Sequence, residues 1–383
     1  MRIMNSFSLL ANKVVTSSGV IGNAFINVSG ERIASISRKP YFEEITDYSD
    51  KTAIPGFIDI HTHGYFGIDA LASDEPGIRK WASMIAKKGV TSFVPTCVST
   101  PTDQLIEFIQ KIGRTKEDRK PFEARIIGAR SEGPYISLEK KGAHNPKYVR
   151  KISMDEINEV INRSNGILKI MDMAPELEFF NDAMSTLQYS GTLISAGHSN
   201  ADFNTASTAL ASGVRLITHF YNAMTQFDHR EPGMVGAGLL SPSTYLEIIS
   251  DFHHVSEEAI LVMAKIRGWD HIIAITDSLS VGGTEQKTSR LGGLDIEVHD
   301  GVAWIKGTKT IAGSVLTLEK ALINLYSLGV SLYDCVKTLS TNPASLLGLN
   351  DRGDISPGKL ADINIIDEKL GVVKTIIGGN FID

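Results

Sequence analysis

Eight short apolar segments alternate with helix-like segments between residues 54 and about 350, and this alternation constrains the fold more than any other feature. The apolar segments are short and often β-branched, as strands buried on both faces are. The helix-like stretches carry apolar residues at three- and four-residue spacing. We therefore predict an α/β chain folded as a (β/α)8 TIM barrel, with a doubly wound open sheet as the rival architecture. The predicted strands are 54–63, 91–98, 125–132, 167–174, 192–198, 214–219, 245–253 and 271–277.

The two ends of the chain carry a different pattern. Residues 1–53 and 354–383 alternate polar and apolar side chains between turn residues, which predicts short strands. Neither end is long enough for a core of its own, so we predict one small, discontinuous, β-sandwich-like domain beside a barrel over 54–353. Within the barrel, Asp300-Gly301 predicts the turn of a β-hairpin inserted at about 281–313.

Composition narrows the location and the partners of the chain. The net charge of −6 argues against nucleic-acid binding, which usually needs a basic face. No apolar run approaches the roughly 18–20 residues of a membrane span. Cys97 and Cys335 are the only cysteines and lie far apart, which suits a reducing cytoplasm. Because the first ten residues show no signal peptide either, we expect a cytoplasmic protein without a membrane partner.

Metal-ligand side chains recur where the predicted strands end. His61 and His63 are two residues apart on one strand and therefore face the same side. Functional residues of TIM barrels gather at the carboxyl ends of the strands, so side chains from different strands should meet there. The strand-end residues that we expect to share a site are His61, His63, Glu132, His198, His219 and Asp277.

The residue types indicate the class of metal. Histidine and carboxylate ligands suit Zn²⁺ or Fe²⁺ better than Mg²⁺ or Ca²⁺. The five ligand-type residues are enough for two ions bridged by Glu132, or for one ion held by Glu132, His198 and His219. Asp277 remains as a general base and acid for attacking water and a leaving amine.

The loops at the same end of the barrel carry cations. Arg230 follows the sixth strand, and His253 and His254 close the seventh. Arginine binds phosphate well because its planar fork forms paired hydrogen bonds, so these residues indicate a small anionic substrate. Lys140 and Lys141 are expected on a solvated surface loop.

Two longer motifs are more specific than the metal ligands. They are Lys141-Gly142-Ala143-His144-Asn145-Pro146 and Thr218-His219-Phe220-Tyr221-Asn222-Ala223-Met224. Together with 55–64, 132–134, 195–200, 230–233, 276–277, 312–314 and 358–362, they make nearly the whole chain resemble the N-acetylglucosamine-6-phosphate deacetylase family of the amidohydrolase superfamily.

This resemblance implies metal-dependent hydrolysis of the acetamide of N-acetyl-D-glucosamine 6-phosphate in amino-sugar catabolism. It implies a main ion on Glu132, His198 and His219 and a second on His61 and His63. Asp277 would be the catalytic acid and base, and His144 would polarise the acetyl carbonyl. Arg230 and His254 would bind the phosphate, with part of that pocket supplied by a second subunit of a homodimer. The other implied substrate contacts are Ala143, Asn222, Ala223, Ile311, Ala312 and Gly313.

Three segments depart from the pattern of the family, one of them the loop 278–291. The chain has Asp251-Phe252-His253-His254 where the family has Asp-Gly, which puts Phe252 in place of a small residue close to the substrate. It also has Ala129-Arg130-Ser131 before Glu132, where a His-Leu type is usual.

Three alternatives to this activity stay open. One is deacetylation of another epimer, N-acetylgalactosamine 6-phosphate foremost. Another is a cyclic amidohydrolase, although Lys169 lies at the start of its strand and not at the active end. The third, from a different class, is a non-catalytic sugar-phosphate sensor.

Overall fold

The computed structural model describes residues 6–383, so the first five residues of the predicted 1–53 segment, and of the stretch in which we expect no signal peptide, lie outside it. The described chain begins with four strands of a small sheet. These are β1 (Ser6–Thr16), β2 (Gly19–Ser29), β3 (Arg32–Ser37) and β4 (Ile45–Pro55). Strand β1 pairs antiparallel with β2 and parallel with β4.

Eight parallel strands then form the barrel, as predicted. The strands of this part of the chain are β5 (Phe57–Thr62), β6 (Gly64–Tyr65), β7 (Ile68–Asp69), β8 (Val90–Cys97), β9 (Arg125–Ile126), β10 (Ala129–Glu132), β11 (Leu168–Met173), β12 (Leu193–Ala196), β13 (Leu216–Ile217), β14 (Tyr245–Ile248) and β15 (Ile272–Ala274). The eight barrel strands follow the order β5-β8-β10-β11-β12-β13-β14-β15, while β9 adds to β8 and β6 pairs with β7.

The barrel is near-closed, and its last seam is joined at the carboxyl end. The backbone N–H of Asp277 donates to the carbonyl of His61, and that of His63 donates to the carbonyl of Ser278, each at 2.9 Å. These bonds link the residues after β15 to the end of β5. The segments that carry the predicted metal ligands therefore also hold the mouth of the barrel together.

Helices surround the barrel, and several of them begin at side-chain caps. Asp74, Ser153, Asp202 and Ser256 each accept a hydrogen bond from a backbone N–H in the first turn of their helix. The helices are α1 (Glu75–Ala86), α2 (Thr102–Glu117), α3 (Met154–Ser164), α4 (Phe180–Tyr189), α5 (Phe203–Ala211), α6 (Gly233–Leu240), α7 (Glu257–Arg267), α8 (Leu318–Ser327), α9 (Leu332–Val336) and α10 (Asn342–Leu346). Among residues 6–383, no helix has the length and apolar character needed to cross a bilayer.

A three-stranded antiparallel sheet lies within the segment after β15. It consists of β16 (Thr288–Leu291), β17 (Leu294–His299) and β18 (Val302–Ile305), with Asp300-Gly301 between the last two. Apolar side chains of this sheet pack with Val98 and Leu279 at the ends of barrel strands. The packing holds the segment from 310 to 313 beside the mouth of the barrel.

The carboxyl end of the chain completes the small sheet. Strands β19 (Ile363–Ile366), β20 (Val372–Ile377) and β21 (Asn380–Ile382) join β4 to give one seven-stranded sheet built from both ends of the chain. The sequence placed 54–55 in the barrel, but these two residues end β4. Only Gly56 separates β4 from the first barrel strand, so the small sheet and the barrel wall are joined by a single residue at this point.

Gly56 supports a test of this junction. A β-carbon at Gly56 would lie 2.2 Å from Cγ2 of Thr91, whereas one at Gly22 would lie 3.9 Å from its nearest neighbour, the backbone oxygen of Asn12. We expect Gly56→Ala to destabilise the protein by about 1–3 kcal/mol through overpacking, and Gly22→Ala to have little effect. Urea unfolding measures both, and equal stabilities of the two variants would contradict the close approach.

Candidate active site

Glu132 is the centre of a cluster of histidines at the carboxyl end of the barrel. It is the last residue of β10, and its side chain is almost fully buried. Its Oε1 lies 2.9 Å from Nε2 of His198 and 3.0 Å from Nε2 of His219. Its Oε2 lies 3.1 Å from Nε2 of His63 and 3.7 Å from Nε2 of His61. Each oxygen of this carboxylate thus faces a different pair of imidazoles.

Asp277 contacts the first pair from the other side of the barrel seam. Its Oδ1 lies 3.0 Å from Nε2 of His63 and 3.5 Å from Nε2 of His61. The two histidines point to the same side of the chain, as their two-residue spacing predicts. The structure therefore brings all six strand-end residues of the sequence prediction into one cluster.

Hydrogen bonds donated by the Nδ1 atoms of His63 and His198 fix the orientation of these two rings. Nδ1 of His63 lies 3.1 Å from the carbonyl of Thr96, and Nδ1 of His198 lies 2.8 Å from the carbonyl of Lys140. Because a carbonyl can only accept, both Nδ1 atoms carry the proton. Their Nε2 atoms face Glu132, and each offers its lone pair to a metal once it carries no proton.

His144 has the opposite arrangement. Its Nδ1 accepts from the backbone N–H of Ser99 at 3.1 Å, so the proton of the neutral ring sits on Nε2. This Nε2 lies 3.5 Å from Oε2 of Glu132 and faces the cavity. Burial lowers the pKa of His144 to about 4, which keeps the ring neutral. His144 is therefore placed as a hydrogen-bond donor and not as a ligand.

The electrostatics of the cluster favour a cation. Burial opposes ionisation of Glu132, but the surrounding histidines hold the pKa of its carboxyl well below the usual value. Burial lowers the pKa values of His61 and His63, yet Asp277 and Glu132 outweigh it and raise them to about 10 and about 9. The cluster thus concentrates negative charge that protons or a divalent ion can neutralise, and an ion would displace those protons.

The backbone is strained where the strands present these side chains. His198, His219 and Asp277 all have positive φ, at 46°, 23° and 49°. Such conformations cost roughly 1–3 kcal/mol each for residues other than glycine and persist where the surrounding structure imposes them. Three of them at one barrel mouth indicate that the position of these side chains is maintained at the expense of stability.

The donor atoms fit a divalent metal. Two groupings, His61-His63-Glu132 and Glu132-His198-His219, each bring their ligand atoms within 4.8 Å of one another. The Nε2 atoms of His198 and His219 approach to 3.0 Å. Within residues 6–383, Nε2 of His61 is buried without a hydrogen-bond partner. Converging lone pairs of this kind repel one another unless a proton or a cation lies between them, and the buried histidine and carboxylate donors suit a metal ion.

A cavity of about 530 Å³ opens above the cluster. Its size is that of a small-molecule site. Its wall includes the predicted substrate residues Ala143, His144, Asn222, Ala223, His254, Ile311 and Gly313. Asp251 orients His254 through a 2.7 Å bond between Oδ2 and Nδ1.

Several predicted placements differ in the structure. Arg230 is exposed on the loop before α6 and is not part of the cavity wall of its own chain. Ala312 is buried behind the wall, in the apolar cluster of the inserted sheet. Phe252, whose backbone is left-handed with φ of 66°, packs against the barrel core and is not part of the cavity wall. Lys140 and Lys141 line the cavity, although they were expected on a solvated loop, because the carbonyl of Lys140 is tied to His198.

Sequence reasoning missed a charged group beneath the cluster. Arg130, Asp172 and Glu247 are all fully buried inside the barrel, and each of the two carboxylates pairs with Arg130. The available signal was a charged residue within each of three predicted barrel strands, at positions where apolar side chains are the rule. The pairing itself joins residues 42 and 117 positions apart, which no local pattern reports.

Comparison with known proteins identifies the family. The model of the amidohydrolase family matches residues 52–382. The chain belongs to the amidohydrolase family. This confirms the resemblance inferred from the motifs and makes the protein a hydrolase of amide bonds.

Individual relatives of this amidohydrolase match over almost its whole length. It is 31% identical over 373 residues to the N-acetylgalactosamine-6-phosphate deacetylase of Escherichia coli O157:H7, covering 97% of this chain and 98% of that one. It is 33% identical to the N-acetylglucosamine-6-phosphate deacetylase of Vibrio furnissii, covering 86% and 82%.

Solved structures agree with the fold. A mutant N-acetyl-D-glucosamine-6-phosphate deacetylase of Mycobacterium smegmatis, in complex with N-acetyl-D-glucosamine 6-phosphate, superimposes with a TM-score of 0.93 at 27% identity and covers 99% of both chains. The N-acetylglucosamine-6-phosphate deacetylase of Thermotoga maritima superimposes with a TM-score of 0.88 at 32% identity, covering 97% of this chain and 98% of that chain.

Because Glu132 belongs to both groupings, its loss should affect every bound ion. We expect Glu132→Gln to lower the metal content of the amidohydrolase at both groupings, whereas His63→Asn should affect only the first. Elemental mass spectrometry after dialysis into metal-free buffer measures the number of ions per chain. A Glu132→Gln protein with the metal content of the unaltered protein would show that this carboxylate is no ligand.

Proposed function

We propose that this amidohydrolase hydrolyses the acetamide of N-acetyl-D-glucosamine 6-phosphate to D-glucosamine 6-phosphate and acetate, in amino-sugar catabolism. One observation carries the proposal: a cavity of small-molecule size whose floor joins a shared carboxylate, four imidazoles and Asp277. The relatives that match along the chain, named as deacetylases of N-acetylated hexosamine 6-phosphates, support the choice of substrate.

Asp277 and His144 have different roles in the proposed reaction: Asp277 transfers protons, and His144 donates a hydrogen bond. Burial raises the pKa of Asp277, but His61 and His63 outweigh it and hold the value at about 2, so the side chain is a carboxylate at neutral pH. It can accept the proton of the attacking water and return it to the nitrogen of the leaving amine. His144, with its proton on Nε2, donates to the acetyl oxygen as negative charge develops there.

The proposed cofactor is a divalent ion, Zn²⁺ or Fe²⁺, with one or two ions per chain. Glu132, His198 and His219 would hold the main ion, and His61 and His63 would hold a second together with Glu132. When bound, such an ion polarises the carbonyl and lowers the pKa of coordinated water to about 7. Each oxygen of Glu132 faces one pair of histidines, which supports occupancy by two ions.

The proposed phosphate site uses the other end of the cavity. His254 lines the wall with Asn222 and is oriented by Asp251. Arg230 is exposed and outside the wall of its own chain, which supports the proposal that it reaches the phosphate of a second subunit in a homodimer. Two free, buried cysteines suit the cytoplasm, where the proposed pathway lies.

A second candidate substrate is N-acetyl-D-galactosamine 6-phosphate. The relative from Escherichia coli O157:H7 carries this activity in its name and matches 97% of this chain. The two sugars differ only at one hydroxyl, and the same chemistry acts on both.

Acetate release from a panel of substrates tests the proposal. We expect the gluco 6-phosphate to be hydrolysed with a higher kcat/KM than the galacto and manno 6-phosphates. Unphosphorylated N-acetylglucosamine should lose much of the rate, because the phosphate supplies binding energy remote from the reacting bond. A higher kcat/KM for the galacto sugar would replace the proposed substrate by the second candidate. Equal turnover with and without phosphate would reject the phosphate site.

The role of Asp277 has its own test. We expect Asp277→Asn to lower kcat by about 10²–10⁴-fold, the usual contribution of general acid–base catalysis, with KM changed little. Asp300→Asn, in the exposed turn of the inserted sheet, is a matched control and should keep the full rate. An Asp277→Asn protein with the full rate would refute this mechanism. If neither protein released acetate from any substrate of the panel, a sugar-phosphate sensor would become the better explanation.

A further inference from the structure

A buried group of three charged side chains lies inside the barrel, directly beneath the histidine cluster. Arg130 is on β10, Asp172 on β11 and Glu247 on β14, and all three are 0% exposed. Nε and Nη2 of Arg130 donate to the two oxygens of Asp172 at 2.8 and 2.7 Å. Nη1 and Nη2 donate to the two oxygens of Glu247 at 2.5 and 3.0 Å.

Stability alone does not account for this group. Moving charges out of water costs several kcal/mol per ion, and apolar side chains of the same volume often serve a protein core at least as well. Two carboxylates against one guanidinium also leave one negative charge inside the barrel that the arginine does not balance. Such a charge is unfavourable in an apolar core and favourable beneath a site for a divalent cation.

Glu247 connects the group to His61. Its Oε2 lies 3.3 Å from Nδ1 of His61, and Oγ1 of Thr218 lies 3.2 Å from the same atom. Nη2 of Arg130 donates to that hydroxyl at 2.9 Å. An unprotonated Nδ1 would set its lone pair against the carboxylate of Glu247, so Nδ1 carries the proton and donates it. Nε2 is then the nitrogen of His61 that can offer a lone pair to a metal, in exchange for its own proton.

Arg130 also fixes the backbone that carries this ring. Its Nη1 donates to the carbonyl of Ile60, the residue before His61, at 3.0 Å. Nε2 of His61 therefore faces Asp277 and Glu132, and no residue in the described part of the chain forms a hydrogen bond with it. Both the orientation and the protonation of the ring depend on the buried group.

We propose that Arg130 and Glu247 are positioning residues that hold His61 as a metal ligand, and so set the affinity of the His61-His63-Glu132 grouping for its ion. This inference rests on the metal sites of the proposed function. The rings of His198 and His63 are held by backbone carbonyls instead. The backbone N–H of His219 donates to Oε2 of Glu247 at 3.4 Å, but the group forms no hydrogen bond with the ring of His219.

The test measures Zn²⁺ binding by the full-length protein after its metal has been removed, in competition with a chelator of known affinity. We expect Glu247→Gln to weaken binding at the first grouping by about 10–100-fold, the usual effect of losing a partner of a ligating histidine. In a His63→Asn background, which lacks that grouping, the same Glu247→Gln change should alter the remaining affinity much less, because the amide oxygen of glutamine can still accept the bond from the backbone N–H of His219.

Two further variants keep the result interpretable. Glu156→Gln removes another carboxylate that is paired with an arginine, Arg150, but lies away from the histidines, and it should leave Zn²⁺ affinity unchanged. Arg130→Lys keeps a buried cation but loses the paired contacts, and it should weaken the first grouping less than Glu247→Gln does. If Glu247→Gln does not fold, the Zn²⁺ affinity of Arg130→Lys is compared in the same two backgrounds instead.

Equal weakening by Glu247→Gln in both backgrounds would show a general structural role and overturn the proposal, as would an unchanged affinity in the unaltered background. The outcome is separable from that of the proposed function, because Zn²⁺ binding is measured without substrate. A chain that binds two ions and responds as expected, but releases no acetate, would keep the positioning role and lose the deacetylase.

Discussion

The site depends on a single carboxylate. Glu132 ends β10 at the mouth of the barrel, and imidazoles from three other strands converge on its two oxygens. A buried carboxylate is costly without partners, and each partner here is a group whose own burial needs compensation. The arrangement is stable only as a set, with protons or a metal ion balancing the charge. The strained backbone at His198, His219 and Asp277 has the same origin, since each strand end must turn its side chain towards one point.

The histidines around Glu132 differ in which ring nitrogen carries the proton. Backbone carbonyls from Thr96 and Lys140 hold two rings with the lone pair of Nε2 facing inward. Glu247 does the same for His61. The backbone N–H of Ser99 holds His144 in the reverse form, with a donor facing inward. One residue type therefore provides both metal ligands and a donor for a developing oxyanion, and the difference lies wholly in what each ring meets on its far side.

Much of this could be predicted from the sequence because it is local. The repeated strand and helix pattern indicates the barrel, and the two-residue spacing of His61 and His63 places them on one face. A rule of barrel architecture, that the carboxyl ends of parallel strands meet, then gathers Glu132, His198 and the other strand-end residues. The positions of the loop residues do not follow from this rule, and the structure places only some of them at the cavity. His254 lines the cavity, whereas Arg230 does not and Phe252 turns into the core.

The sequence by itself determined the secondary structure, the barrel and the types of side chain that meet at its mouth. The spacing of apolar residues and the succession of strands and helices along the chain can be recognised from residues that are close in sequence. Only the tertiary structure decided which atom of each ring faces the cavity. It also decided that Arg130 pairs with Asp172 and Glu247 across the barrel interior. These choices depend on contacts between residues tens to more than a hundred positions apart, and the free energy of a buried charge depends on those contacts more than on its place in the chain.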